Sequence, residues 1–470
     1  MKKLKLLLNC LLIVSIVSAQ SVEIRLNEAV RKLKDDPQLK HGSMSLYVVN
    51  STTGETIYDW KGQMGLAPAS CQKIFTSIAA MDLLGDEYRF KTELGYSGII
   101  KKGILKGNLY ITGYGDPTLG SWRYSATKDS VVLDNWVTQI KKEGIRKING
   151  HIYAKNFKFS YQPLPGGWIW NDIGNYYGAG TWALNWHENQ YELTLQPGKQ
   201  EGDEVKIIST YPPINNFSIV NQLKTGKEGS GDNSYIYFPP YSDNGFVEGT
   251  IPLQDKPFII SGSFPLPSLI AVDQLANKLI ANHISLQSIV RKDNDIDTSL
   301  EKGLINIKTF YTNYSPSLDS INYWFLRKSI NLYGEALIKA IALEKNGLGN
   351  TDSGVAIVKK HWQERGIDES ALHIIDGSGL SPQNRITTFS LVTALQYARS
   401  RTWFSSFYNA LPEYNQMKLK SGTISGAKSF AGYHTAKDGT TYTIAIIINN
   451  FDGSATGIVK KMFLVLDQLK

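Results

Sequence analysis

The sequence predicts an α+β fold: one domain of helices and antiparallel strands, interrupted by a long β-rich insertion. Strand signals group at the two chain ends. Residues 43–50 (SMSLYVVN) and 55–60 (ETIYDW) flank Ser-Thr-Thr-Gly and read as a hairpin, and 417–424, 428–436 and 440–449 read as three more strands. Helical spacing accompanies both groups. From Ser70 the apolar residues Ile74, Phe75, Ile78, Ala79 and Leu83 keep to one face, and Gly85 ends the pattern. Further helices read over 317–327, 332–344, 353–365, 387–399 and 456–468. Residues 93–270 differ. Short strand-like runs alternate there with turn signals such as Lys102-Gly103, Pro197-Gly198 and Asp243-Asn244-Gly245, and a helix near 270–282 closes the stretch. Helices and strands at both ends around such a stretch fit one α+β domain carrying an insertion. The expected boundaries are 20–92 and 290–470 for the main domain and 93–289 for the insertion, the latter as two nested subdomains.

Residues 1–19 stand apart. Lys2, Lys3 and Lys5 precede the apolar run Leu6–Val17, and Val17-Ser18-Ala19 offers small residues for cleavage. That order is a secretory signal peptide, too short to span a bilayer comfortably. Export to the periplasm is the expectation. Cys10 would leave with the leader, so Cys71 would remain alone and the mature chain would hold no internal disulfide. Loss of the three lysines lowers the formal charge from +8 to +5. A mildly basic chain suits an acidic polymer and gives no ground for a nucleic-acid partner. The seven histidines are scattered without a ligand spacing, so neither a metal nor another cofactor is expected.

The chemistry begins at "APASCQKIFTS", where Ser70 and Lys73 are three residues apart. Roughly three S-x-x-K matches would arise by chance in a chain of this kind. Four are present: Ser70/Lys73, Ser125/Lys128, Ser299/Lys302 and Ser425/Lys428. Context separates them. Ser125 and Ser299 lie in polar or charged stretches, and Ser425 lies in a turn between strands. Ser70 alone opens a helix whose next turns are apolar. Helix starts present free N–H groups and favour negative charge, which suits a reacting serine oxygen. Lys73, one turn on, falls on the same face and would serve as a base if desolvated. A serine cap beside a solvated lysine fits this fragment, taken alone, better.

Two later motifs shift that balance. Acyl-transfer enzymes with a Ser–Lys pair use S-x-x-K, S-x-N and K-[TS]-G in that order. A literal Ser242-Asp243-Asn244 and a literal Lys224-Thr225-Gly226 occur in reversed order, within stretches that read as turns. Ser329-Ile330-Asn331, between two helices, and Lys420-Ser421-Gly422-Thr423, entering the terminal strands, occur in the right order.

With these residues in view the chain resembles the low-molecular-weight class C penicillin-binding proteins, the D-alanyl-D-alanine carboxypeptidase/endopeptidase family. The resemblance runs from about 43 to 450. It covers "PASCQKIFTSIAAMDLLG", "GILKGNLYITGYGDPTL", "GGWIWNDIGNYYGAG", "KSINLYGEAL", "DGSGLSPQNRIT" and "LKSGTISGAKSFAGY". It implies a penicillin-binding/β-lactamase-like serine transferase domain with an insertion between the first two motifs. Ile330 stands where Asp is common, and Ser421 where Thr is commoner. The stretch between Thr387 and Lys420 is short, which bears on the loop before Lys420.

The resemblance implies the following roles. Ser70 is the nucleophile and Lys73 its general base. Asn331 holds Ser329 and Lys73 in place, and Ser329 relays the proton to the leaving D-alanine. Lys420 and Ser421 bind the terminal carboxylate, and Gly422 admits the substrate backbone. The backbone N–H groups of Ser70 and Thr423 form the oxyanion hole. Asp172 binds the amino end of the peptide stem, with Tyr177 as an apolar wall; an ordinary surface carboxylate fits Asp172 as well. The partners implied are peptidoglycan peptide stems and β-lactam antibiotics. A serine β-lactamase is one alternative, but no E-x-x-L-N follows Ser329, and Tyr311-Thr312-Asn313 lacks a helix-to-helix setting. The other is a non-catalytic wall-binding protein of the same fold, against which the intact five-residue set stands.

Overall fold

The computed structural model describes residues 21–214, 217–287 and 306–470. The expected leader, the Ser299/Lys302 pair and the expected boundary at 289–290 lie outside the described residues.

The main sheet has six strands. They are β1 (Ser43–Asn50), β2 (Thr56–Trp60), β3 (Glu413–Tyr414), β4 (Met417–Ile424), β5 (Ala427–Thr435) and β6 (Thr441–Asn449), in the order β3-β4-β5-β6-β1-β2. All pairings in it are antiparallel. β1 pairs with β6, Leu46 opposite Ile446 and Tyr47 opposite Ala445, so the two chain ends form one sheet across the insertion. The sequence of β6, TYTIAIIIN, has no alternation because both its faces are buried. Ile444, Ile446 and Ile448 face helices α1 (Val22–Lys34) and α10 (Ala455–Leu466), through Leu26, Val30, Ile458 and Met462. Ala445 and Ile447 face the opposite core, with Ile74, Phe75 and Ile78 of α2 (Lys73–Leu84). The two-residue period of a strand assigns each side chain to its face.

The remaining long helices follow in chain order. Two lie within the insertion, α3 (Asp129–Lys142) and α4 (Pro267–Ala281). The others are α5 (Leu318–Arg327), α6 (Asn331–Asn346), α7 (Thr351–Gln363), α8 (Thr388–Ala398) and α9 (Phe404–Ala410). Three of the ten were not anticipated. In α1 only Leu26, Val30 and Leu33 are buried, a narrow stripe in a mostly charged helix. α3 buries Val132, Leu133, Trp136, Val137 and Ile140 inside the stretch read as strands. α9 has only seven residues.

Strand Lys91–Tyr96 pairs antiparallel with Lys308–Tyr314, so the chain enters and leaves the insertion side by side, and this pairing runs past residue 290. Tyr311 and Asn313 lie in that strand rather than between helices. These two strands belong to one four-stranded sheet, and three further small sheets of three or four strands lie between them in the chain. The two nested units expected there share one contiguous apolar cluster, from Leu94 and Trp136 to Val247 and Leu275.

One part of the insertion folds back onto the main domain. Lys339 of α6 donates to the carbonyls of Gln162 (2.8 Å) and Thr181 (3.0 Å). The Trp168 indole N–H donates to Asp376 Oδ2 at 2.9 Å. These bonds fix residues 162–181 beside the N-terminal end of α6, where Asn331 lies.

Candidate active site

Ser70 sits in a single 3-10 turn, Ala69–Gln72, that runs directly into α2. The turn replaces the α-helical start expected there; tight 3-10 turns are frequent at helix N-termini. Lys73, the first residue of α2, is wholly buried. Its Nζ lies 2.9 Å from Ser70 Oγ, 2.6 Å from Asn331 Oδ1 and 2.6 Å from the Ser378 carbonyl oxygen. Among the described residues no carboxylate lies within 4.0 Å of it. Burial pushes the Lys73 ammonium well below its usual pKa, and the charge of Lys420 pushes it further; Asp376 and Glu335 oppose this. A neutral lysine has two N–H bonds and one lone pair. Asn331 Oδ1 and the Ser378 carbonyl can only accept, so they take the two N–H bonds. The lone pair is then left for the Ser70 hydroxyl. The solvated-lysine reading of this fragment does not fit a side chain so placed.

Ser329 lies in the short link between α5 and α6, at φ +57°. That conformation is uncommon for a residue with a side chain and marks a local constraint. Its hydroxyl accepts from Lys420 Nζ at 3.0 Å. Asn331 does not reach back to Ser329 as expected. Its carbonyl oxygen takes Lys73, and its amide donates to the Tyr177 carbonyl at 2.8 Å. The reason is local geometry: Asn331 opens α6 and projects between α2 and the returning insertion loop. Asn331 thus ties the base to the insertion.

Lys420 is 1% exposed, on β4. Besides Ser329 it donates to the Ser421 carbonyl at 2.6 Å. Burial lowers its pKa to about 8. Ser421 Oγ meets the Tyr414 hydroxyl at 3.2 Å. Gly422 is required by crowding. A Cβ there would stand 2.4 Å from Ser429 Oγ, 2.5 Å from the Pro68 carbonyl and 2.8 Å from Ser70 N. The missing side chain lets β4 lie against the serine turn and brings Thr423 beside it. Cys71 is buried and free, and its thiol donates to the Lys420 carbonyl at 3.1 Å.

Asp172 and Tyr177 neighbour one another, in the loop whose Tyr177 carbonyl Asn331 holds. Burial raises the Asp172 pKa, and the Tyr177 hydroxyl opposes the rise. The structure joins Ser70, Lys73, Asn331 and the Tyr177 carbonyl by direct contacts, pairs Ser329 with Lys420, and sets Gly422 against Ser70 N, whereas Ser421, Thr423 and Asp172 come close only as neighbours of these residues. The literal triplets stay outside this cleft. Ser242 and Asn244 bond to each other in an exposed turn. Lys224-Thr225-Gly226 ends a strand, Ser218–Gly226, rather than a turn, and the Lys224 side chain is 52% exposed beside Glu204.

Three residues were missed. Ser378, Asp376 and Glu335 all lie within blocks that carry the family resemblance, but none belongs to a triplet. Asp376 accepts from Trp168, Gln72, Asn384 and the N–H groups of Gly379 and Ser381. It fixes the loop whose Ser378 carbonyl meets Lys73. Burial of polar residues cannot be read from spacing alone.

Fold and cleft together place the molecule in the penicillin-binding and β-lactamase class of serine enzymes. The model of the D-Ala-D-Ala carboxypeptidase 3 (S13) family matches residues 26–468, and the chain belongs to that family. It is a low-molecular-weight class C penicillin-binding protein and a serine-type D-Ala-D-Ala carboxypeptidase. Among relatives, it is 26% identical over 467 residues to a D-alanyl-D-alanine carboxypeptidase of Actinomadura sp. (strain R39), covering 92% of this chain and 82% of that protein. It is 27% identical over 350 residues to the D-alanyl-D-alanine carboxypeptidase DacB of Haemophilus influenzae, covering 74% and 69%. Among solved structures, penicillin binding protein 4 of Haemophilus influenzae superposes with a TM-score of 0.77 at 22% identity, over 94% of this chain and 97% of that one. That likeness shows the shared fold.

Proposed function

We propose that this protein, exported and freed of residues 1–19, trims peptidoglycan peptide stems through an acyl-enzyme on Ser70, and that β-lactams acylate the same serine. Release of the terminal D-alanine is its carboxypeptidase reaction. Cleavage of a cross-link ending on D-alanine would be endopeptidase use of one site. A related structure, penicillin binding protein 4 of Haemophilus influenzae, is described as complexed with a novel β-lactam.

The contacts of Ser70, Lys73 and Lys420, together with the roles that the family resemblance implies for the other residues, give the steps. Ser70 Oγ attacks the carbonyl between the two D-alanines while its proton passes to the Lys73 lone pair. The carbonyl oxygen, now negative, takes the backbone N–H groups of Ser70 and Thr423. The peptide C–N bond then breaks. Ser329 gives its hydroxyl proton to the departing nitrogen and regains one from Lys73. Lys420 polarises Ser329 and, with the Ser421 hydroxyl, faces the substrate's terminal carboxylate. Water attacks the ester and loses a proton to Lys73, which passes it to Ser70 Oγ as the ester C–O bond breaks, so that the free acid, Ser70 and neutral Lys73 are restored. Asp172 receives the amino end of the stem against Tyr177.

The observation that carries this reading is the buried Lys73 Nζ, 2.9 Å from Ser70 Oγ and otherwise met by neutral oxygens. The test is mass spectrometry after incubation with a penicillin. The acyl adduct should map to the peptide containing Ser70 and vanish in Ser70→Ala. An adduct on another serine would overturn the assignment. Rapid penicillin hydrolysis without D-alanine release from muropeptides would favour a β-lactamase.

A further inference from the structure

We propose that Glu335 is a positioning residue for the general base, acting as an uncharged carboxylic acid that holds the peptide whose carbonyl receives a Lys73 N–H. The inference rests on the reading of Lys73 as the base.

Asn331, Glu335 and Lys339 follow one another at four-residue intervals along α6, so they share one face. The first touches Lys73 and the last holds the insertion. Glu335, between them, is wholly buried. Both its oxygens are met by the Gly377 N–H, at 3.1 and 3.0 Å, and the Ser378 hydroxyl also faces it. The same short segment reaches Lys73. The Gly377 carbonyl accepts from Thr76 Oγ1 at 2.7 Å, and the next carbonyl, of Ser378, takes Lys73 Nζ at 2.6 Å. α6 and this segment meet backbone to backbone. A Cβ on Gly377 would stand 2.4 Å from the Gly334 carbonyl, so no side chain cushions the contact. A shift at Glu335 is therefore passed to the Ser378 carbonyl, and with it to the direction of the Lys73 lone pair.

The charge state follows from the surroundings. An ionised carboxylate buried without a cation is costly, and such a group protonates instead. The groups that face Glu335 are Lys73 on α2, Asp376 on the loop and Lys339 on its own helix. Among the described residues neither lysine lies within 4.0 Å of its oxygens. Lys73 spends its nitrogen on three neutral oxygens and Lys339 on two carbonyls. Burial first, and the Asp376 charge second, push the Glu335 carboxyl well above the usual carboxylate range, against the Ser378 hydroxyl, the Gly377 N–H and Lys73. An uncharged Glu335 removes one of the two carboxylates that would hold a proton on Lys73 and leaves only the pull of Asp376, which favours the base.

The experiment compares Glu335→Gln and Glu335→Ala with the parent enzyme. The readouts are the rate of penicillin acylation against pH, and kcat and KM for D-alanine release. Gln keeps an oxygen for the Gly377 N–H and cannot ionise. Glu335→Ala should lose about 10- to 100-fold in acylation and kcat with KM within about twofold, the scale of a small misplacement of reacting groups. Glu335→Gln should restore the rate to within about threefold, and its acid limb should overlay that of the parent. Infrared difference spectra should show a protonated carboxyl band in the parent enzyme that Glu335→Gln lacks. Parent-like acylation by the Ala variant would overturn the positioning role. So would a Gln variant, shown to be folded by cooperative unfolding, that is as slow as Ala. An acid limb moved down by a full pH unit in Gln would overturn the uncharged state, because removing a nearby anion lowers a lysine pKa. A parent enzyme that penicillin does not acylate would defeat the reading of Lys73 itself, whatever Glu335 does.

Discussion

Two regions of this molecule carry the same short motif letters, and only one of them has the chemistry. In the cleft, Lys420 is 1% exposed and bonds to Ser329 Oγ and a carbonyl. In the insertion, the Lys224 side chain is 52% exposed and 3.8 Å from a solvated Glu204. Lys224 belongs to the better match, a literal Lys-Thr-Gly, and Lys420 to Lys-Ser-Gly. The contrast repeats for Ser329-Ile330-Asn331 and Ser242-Asp243-Asn244. The second of these closes on itself in a turn. The first is held open, its serine on Lys420 and its asparagine on Lys73. What separates the pairs is desolvation. A lysine in water keeps its hydration, whereas a buried one is tuned by the few groups around it.

The sharpest way to break the comparison is at Gly422. Gly422→Ala must push a methyl group into Ser429, Pro68 or Ser70 N. Displacing the serine turn should cut acylation by about 100-fold or more. Parent-like labelling of this variant by a fluorescent penicillin would show that β4 does not need to lie so close. Next comes Lys420→Ala. It removes the ammonium proposed to hold the terminal carboxylate, and a charge-assisted contact of that kind is worth about 1.5–3 kcal/mol, so kcat/KM for a D-Ala-D-Ala peptide should fall by about 10- to 200-fold.

The pH profile sharpens the point. Lys420 is charged below its pKa of about 8 and neutral above it. The carboxylate contact is present at lower pH and lost as pH rises through that value. kcat/KM should therefore fall by about tenfold for each pH unit well above 8, and this basic limb should be absent from Lys420→Ala. A limb that persists in the variant would belong to another group. The smallest effect belongs to the insertion: Lys224→Ala and Ser242→Ala should each stay within about twofold of the parent, as exposed substitutions do. A larger loss at Lys224 than at Lys420 in one peptide assay would reverse the choice of motif.

Much of the main domain was legible because its signals are local. The hairpin at 43–60, the helix after Ser70 and the three terminal strands follow from periodicity and turn residues. The helices α5 to α8 follow in the same way. α3 was hidden by the company of strands, and α1 by its charge. The site was legible where local context picks out Ser70 and where order along the chain separates Ser329, Asn331 and Lys420 from their decoys. The roles within it were less so. Asn331 was expected to hold Ser329 and instead bridges Lys73 and Tyr177. Nothing in the spacing of Ser-x-Asn says which way an amide turns.

By itself the sequence determined which residue types recur at helical and strand periods, and hence the α+β class and the order of its parts. It also determined that Gly, with no side chain, stands at position 422. The tertiary structure alone decided what each polar side chain meets. Ser378 and Glu335 gain their place beside Lys73 because a loop 305 residues away in sequence and a helix turn 42 residues before that loop fold onto the same point. The electrostatics of a lysine depend on how much water is removed and on which oxygens replace it. Both depend on distances in space between segments far apart in the chain, which no local pattern carries.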